Sequence, residues 1–258
     1  MDTKNIVYYP VLDTKREKGQ TIQHDISSGL YQNMTADIDQ ADAVLVGGGD
    51  GFMLDTLKTY FDQDKLFVGV NCGTLGFLLN DITRENLPKS REDIDIVCIH
   101  PIQVEVIKKS GEHQLLYAMS DIVIGGNILD YFSFDIQGTS FEKHIMGTGM
   151  ILSTALGSSG YWLGNGGPIF PMQSNLRGIM GIAAKPFNYH LLKPESIRII
   201  VNGRNPIMAG IDGYGGRVDD IQEIILSPSS KTIALGFLKT NDFDSKRIAL
   251  SNQKLSGI

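Results

Sequence analysis

Residues 44–54, VLVGGGDGFML, leave the backbone little choice. Ala43 to Val46 is an apolar run that reads as a buried strand of a parallel sheet. Gly47, Gly48 and Gly49 then permit a sharp turn and a close approach of backbone to a ligand. From Phe52 the apolar spacing becomes helical, with Leu54, Leu57 and Phe61 on one face. A strand, a glycine turn and a helix start favour an anion, because free N–H groups and the positive end of the helix dipole face it. Asp50 is out of keeping with such a cradle. Its carboxylate repels a phosphate unless it holds a metal or takes a proton from a hydroxyl. Alternatively Asp50 caps the helix that starts at Phe52, and the sequence leaves both readings open.

The neighbouring segments extend this pattern. Ile6 to Tyr9 reads as a short strand ending at Pro10, residues 15–20 as a polar loop, and Ile22, Ile26 and Leu30 as one face of a modest helix. Residues 66–70 form another apolar strand, followed by the glycine-containing stretch NCGTLGFLL, residues 71–79. Strands alternating with helices indicate a doubly wound parallel sheet, and ligands of such sheets sit beyond the carboxyl ends of the strands. After Ile96 the chain turns to short β-branched or alternating segments, which read as a mostly-β domain. The expected division is an α/β domain over residues 1–95, a β-rich domain over 96–238 with one helical insertion at 158–163, and a polar tail over 239–258.

Composition removes several function classes. With 42% hydrophobic and 20% charged residues, 258 residues suffice for a packed core in one large or two small domains. A net charge of −6 argues against non-specific nucleic-acid binding, which needs a basic face, but leaves room for a phosphorylated ligand in a local cradle. Cys72 and Cys98 make no CxxC pair or disulfide framework, which fits a reducing, cytoplasmic setting. Neither a signal peptide nor a membrane span is expected, since no run of about 18 apolar residues exists. His24, His100, His113, His144 and His190 show no metal-ligand spacing. No Gly-x-Ser-x-Gly elbow, P-loop or GxGxxG turn is found. Asp212-Gly213 with Gly215-Gly216 reads as a β-turn, and Glu142, Lys143 and His144 as a solvated strand end.

Two further stretches could carry chemistry. Asn71 could bond a ribose or a phosphate, or simply close the strand in an Asx-turn. Residues 153–168, STALGSSGYWLGNGGP, are dense in hydroxyls and glycine. There Ser158 or Ser159 could meet a phosphate and Tyr161 could stack on a base. Equally, either serine could cap a helix while Tyr161 and Trp162 pack in a core.

Taken together, Gly48-Gly49-Asp50-Gly51, then Asn71-x-Gly73-x-Leu75-Gly76-Phe77, then Ser153-Thr154 through Gly157-Ser158 to Tyr161 and Gly166-Gly167-Pro168, resemble the ordered motifs of the NAD kinase family. They span a little under half of the chain. The resemblance implies an α/β domain followed by a β-rich domain, with the tail returning to the first. It also implies a homodimer or homotetramer that binds neither nucleic acid nor membrane. The implied reaction moves the ATP γ-phosphate to the 2′-hydroxyl of the adenosine ribose of NAD, giving NADP, with a divalent metal such as Mg2+. Asp50 is then the catalytic carboxylate. The implied substrate-binding positions are Gly49, Gly51, Asn71, Gly73, Ser120, Asp121, Thr148, Leu156, Ser158, Ser159, Gly160, Tyr161, Gly164 and Ala183. No protein ligand to a metal is assigned.

The departures fall on the groups that read the ligand. The family's usual Asn-Glu pair on the adenosine ribose is here Ser120-Asp121. An Asp that holds the nicotinamide amide is here Thr148, which removes a charge-assisted hydrogen bond. A hydroxyl position is here Leu156. The glycines and Asp50 persist, so phosphate chemistry is expected to be retained while the acceptor is open. Two alternatives follow: a kinase of another nucleoside or dinucleotide, and a nucleotide-binding sensor without turnover. A panel of acceptors with labelled ATP separates them.

Overall fold

The computed structural model describes residues 5–127, 130–185, 189–203, 205–239 and 243–256. In chain order the first elements are β1 (Tyr8–Leu12), α1 (Glu17–Ser27), β2 (Ala43–Gly48), α2 (Asp50–Tyr60), β3 (Leu66–Asn71) and β4 (Ile94–Ile99). Antiparallel strands follow: β5 (Ile102–Lys108), β6 (His113–Ala118), β7 (Asp121–Gly125), β8 (Phe132–Gly138), β9 (Glu142–Gly147) and β10 (Gly149–Thr154). A short helix, α3 (Tyr161–Gly164), precedes β11 (Arg177–Ile182), β12 (Tyr189–Leu192), β13 (Ile197–Asn202), β14 (Met208–Ile211), β15 (Arg217–Asp219) and β16 (Ile221–Pro228). The chain ends with β17 (Ile233–Leu238) and α4 (Phe243–Ser256).

Contacts divide the chain into two compact units, residues 1–99 with 233–258, and residues 100–232. In the first, the described strands form one five-stranded sheet in the order β1-β2-β3-β17-β4. All neighbours are parallel except β4, which runs antiparallel to β17. Every residue of β2 and β3 is buried, which is why both read as continuous apolar runs rather than alternating ones. Two strands that by sequence character go with the β-rich half, β4 and β17, hydrogen-bond in this first sheet instead.

Two local expectations are corrected here, and part of the polar tail proves helical. The polar stretch at residues 15–20 is not a loop throughout, because α1 begins at Glu17. The chain is tied down ahead of it by Asp13, which accepts from the Lys15 amide at 3.2 Å and the Arg16 side chain at 3.0 Å. Leu30 lies beyond the end of α1 and is exposed, so only Gly19 and Ile22 of that helix are buried. The polar tail forms α4: Phe243 stacks on Phe237 at 3.5 Å, and Lys246 bridges Asp81 at 2.9 Å. No helix among the described residues is long and apolar enough to cross a membrane.

In the second unit the described strands form two six-stranded antiparallel sheets, β12-β11-β10-β7-β14-β15 and β6-β5-β16-β13-β8-β9. One apolar cluster takes residues from both, among them Ile122, Ile124 and Leu152 from one sheet and Val104, Phe134 and Ile199 from the other. The sheets therefore pack face to face as a sandwich. A second cluster, Ile151, Ala155, Trp162, Phe170 and Met180, covers the outer face of β10. With apolar layers on both sides, β10 is buried at all six positions.

Candidate functional site

In the first unit both glycine turns follow the carboxyl ends of adjacent parallel strands, β2 and β3, whose last residues Gly48 and Asn71 are paired. Helix α2 starts at Asp50, two residues earlier than its apolar spacing suggests, and its N-cap is Gly49. The helix-cap reading of Asp50 therefore fails. Its carboxylate reaches across to the second turn, accepting the Phe77 amide at 3.0 Å and the Leu78 amide at 2.9 Å. A carboxylate has about four acceptor positions, so this grip leaves lone pairs for a further donor. Gly51 next to it is exposed, and a side chain there would meet open space.

Asn71 does close its strand in an Asx-turn. Its side-chain oxygen accepts the Gly73 amide at 2.9 Å, its amide donates to the Leu75 carbonyl, and its own carbonyl accepts Lys18 at 2.6 Å. Gly76 closes this turn with φ +116, and a Cβ there would lie 2.9 Å from the Asn71 side chain, so only glycine fits. Two cations that no sequence pattern singles out stand beside the turns. Arg16 lies over Gly49 and Gly73, its guanidinium 3.1 and 3.4 Å from where their Cβ atoms would be. Arg247 of α4 is fully buried, 3.5 Å from Asp244. Burial holds its pKa below the ordinary range, and the carboxylates of Asp244 and Asp50 act in the opposite direction.

In the second unit, Ser120 and Asp121 are buried at the start of β7, and Asp121 pairs with Ser153 of β10. Their backbone is gripped from two directions. The carboxylate of Asp212 accepts three consecutive amides, those of Met119, Ser120 and Asp121, at 2.9, 2.6 and 3.1 Å. The Thr154 hydroxyl donates towards the carbonyls of Met119 and Ser120 at 2.8 and 3.0 Å. Asp212-Gly213 does form a turn, with φ of 50 and 89, between the antiparallel strands β14 and β15. The sequence showed that turn but not its side-chain contacts, because the partner amides lie more than 90 residues away.

Residues 157–161 pack against this pair. A Cβ on Gly157 would overlap the Ser120 carbonyl oxygen and lie 2.7 Å from its carbon, and one on Gly160 would lie 3.9 Å from an Asp121 carboxylate oxygen. Neither Ser158 nor Ser159 caps a helix: they lie in a 3-10 turn, and the N-cap of α3 is Gly160. Ser158 is fully buried, with its hydroxyl donating to Ala155 at 2.8 Å and accepting the Phe170 amide at 3.3 Å. Ser159 and Leu156 are buried too. Trp162 is core, whereas Tyr161 is half exposed and Gly164 exposed.

A cavity of about 510 Å3 is lined by Asp121, Val123, Gly125, Tyr161, Gly210 and Arg217, among others. It follows β7 from Asp121 to Gly125, about 13 Å at the usual strand rise. Thr148 and Ala183 sit at the far end of that ladder. Gly149 pairs with Gly125, the Thr148 amide donates to Ile182 at 2.9 Å, and Ala183 follows with φ 45. The sequence-derived positions of this unit thus divide: Ser120, Asp121, Gly160 and Tyr161 stand together at one end of β7, Thr148 and Ala183 near the other, and Ser158 turns inward. The exposed histidines form no cluster. Among the described residues no three His, Cys, Asp or Glu side chains gather closely enough to hold a metal ion.

No protein-family model matches the chain. Individual proteins do. It is 29% identical to an NAD kinase of Rickettsia canadensis over 220 residues, 82% of this chain and 86% of that protein. It is 30% identical to an NAD kinase of Rickettsia akari over 183 residues, 68% of this chain and 72% of that protein. The chain belongs to the NAD kinase family. Solved structures agree on the fold. An NAD kinase from Archaeoglobus fulgidus in complex with ATP superposes with a TM-score of 0.74 at 17% identity, covering 95% of this chain and 98% of that one. Yeast NADH kinase complexed with NADH gives 0.75 at 17% identity, with 95% and 89% covered. The protein is therefore an NAD kinase or NAD kinase-like enzyme, with the family's mixed α/β sheet and paired antiparallel sheets.

Proposed function

We propose that this enzyme transfers the γ-phosphate of ATP to the 2′-hydroxyl of the adenosine ribose of NAD, giving NADP and ADP, in the cytoplasm. The observation that carries the reading is the placement of Asp50. Its carboxylate stands at the first turn of α2, held by the Phe77 and Leu78 amides and still able to accept. In the reaction the ribose O–H gives its proton to Asp50, the new O–P bond forms, and the bond from the γ-phosphorus to the bridging oxygen of ADP breaks. The amides at the start of α2 and the open backbone of Gly51 meet developing negative charge, and the Arg16 guanidinium lies over Gly49 and Gly73 beside them. A divalent cation, carried on the phosphates of ATP as magnesium usually is, would offset their charge.

The acceptor belongs to the second unit. Asp121 binds the adenosine ribose, Ser120 and Gly160 border it, and exposed Tyr161 offers a ring to a base. The cavity runs along β7 from Asp121 to Gly125, and Thr148 and Ala183 stand near the Gly125 end of that ladder. Support also comes from the relatives, which are NAD kinases, and from the two related structures, solved with ATP and with NADH. Assembly as a homodimer or homotetramer is part of the same proposal and is measurable by sedimentation. Replacing Asp50 by Asn tests the chemistry: turnover of NAD is expected to be lost while NAD still binds. Undiminished turnover in that variant would remove the base.

A second reading, a kinase of a different nucleoside or dinucleotide, is favoured by Thr148. It is partly buried and its hydroxyl donates to the Ile182 carbonyl at 3.3 Å, so no carboxylate is offered to a nicotinamide amide.

A further inference from the structure

We propose that Asp212 is a positioning residue for the acceptor, acting through Ser120 and Asp121 and not by touching substrate. The inference rests on the assignment of the acceptor ribose to Asp121. Three successive amides cannot converge on one group within a regular strand, where N–H directions alternate. At Met119, Ser120 and Asp121 they do converge, on the two oxygens of Asp212, at 2.9, 2.6 and 3.1 Å. Such a concave set of amides around an anion is a strong local arrangement, because each bond is charge-assisted. Asp212 returns a bond of its own, its amide donating to the Asp121 carbonyl at 2.8 Å. Its φ of 50 is unusual for a residue other than glycine and turns the backbone out of β14 towards the pair.

The opposite side of the same peptide units is fixed by Thr154, through its hydroxyl and through its amide, which donates to the Ser120 carbonyl at 2.9 Å. Donors and acceptors of residues 119–121 are thus both committed, while the Asp121 side chain lines the cavity. Asp212 fixes where that carboxylate points. Asp121 has a short side chain, so its reach depends on the backbone beneath it.

The test compares Asp212→Asn with Asp121→Ala in the full-length enzyme, measuring kcat and the KM values for NAD and ATP. Asn keeps the shape but loses the charge and one acceptor. The expected result is a NAD KM raised about tenfold, with kcat and the ATP KM within about twofold of native. The double variant should be no worse for NAD than Asp121→Ala alone, as for groups acting as one unit. A folded Asp212→Asn with native constants would overturn the proposal, as would one in which kcat and both KM values shift alike. An unchanged NAD KM in Asp121→Ala would instead remove the acceptor assignment, and the proposal with it. Should Asp212→Asn fail to fold, amide exchange in the native protein decides. Protected amides at residues 119–121, slowed further by NAD and not by ATP, support the proposal, and unprotected ones overturn it.

Discussion

Asp50 and Asp212 do similar work in the two units and were unequally visible. Each carboxylate reaches from its own element and grips backbone amides of a distant segment, two amides for Asp50 and three for Asp212. Asp50 sits inside a glycine motif that announces it. Asp212 sits in an Asp-Gly pair that any β-turn could supply. The difference teaches that a residue-type motif is read locally, whereas a carboxylate that grips amides some 90 residues away leaves no local mark.

The comparison makes graded predictions. The largest effect is expected at Asp50: Asn in its place should lower kcat by about 10²- to 10⁴-fold, the usual range for a general base, with the NAD KM little changed. Asp212→Asn should give the converse pattern. Next comes Gly157→Ala, whose Cβ would overlap the Ser120 carbonyl. Forced apart, the clamp should lose about 1–3 kcal/mol of stability in denaturant unfolding, and the NAD KM should rise. A smaller effect, in the opposite direction, is expected from Thr148→Asp. Restoring a carboxylate there should lower the NAD KM by up to about tenfold, as one charge-assisted bond allows. No change would favour an acceptor without a nicotinamide.

The smallest concerns α4. The hydrogen bond from Lys246, first, holds the Asp81 carboxyl below its ordinary pKa of 3.8. A group with a depressed folded pKa stabilises the fold above its unfolded value, and that stabilisation fades as pH falls through the folded value. Thermal unfolding of the native protein should therefore lose a little more stability below about pH 4 than that of Lys246→Met. The difference should be under about 1 kcal/mol, since Asp81 is largely exposed.

Much of the fold was legible, for a stated reason in each case. The strands β2 and β3 are buried on both faces, so their apolar runs are unbroken, and β5 and β13 alternate as half-buried strands must. Helix α1 was legible only in part, through Ile22 and Ile26, and α4 was not, because both sequences are mostly polar. Their anchors are contacts that no apolar periodicity records: Asp13 with Arg16 just ahead of α1, and Lys246 on Asp81 and Phe243 on Phe237 for α4. The place of β17 was hidden for a similar reason: its hydrogen bonds to β3 and β4 join residues far apart in sequence. At the candidate site, Asp50 and the glycines stood out by residue type. The bonds of Ser158 to Ala155 and Phe170 were not legible, because a hydroxyl can satisfy the interior as readily as a ligand.

The most direct test is to follow the label from γ-labelled ATP into a panel of NAD, NADH, other dinucleotides and nucleosides, and to locate the phosphate on the product. The account expects the label chiefly in NADP, on the 2′-oxygen of the adenosine ribose. Label found mainly on another acceptor, or on none, would contradict it.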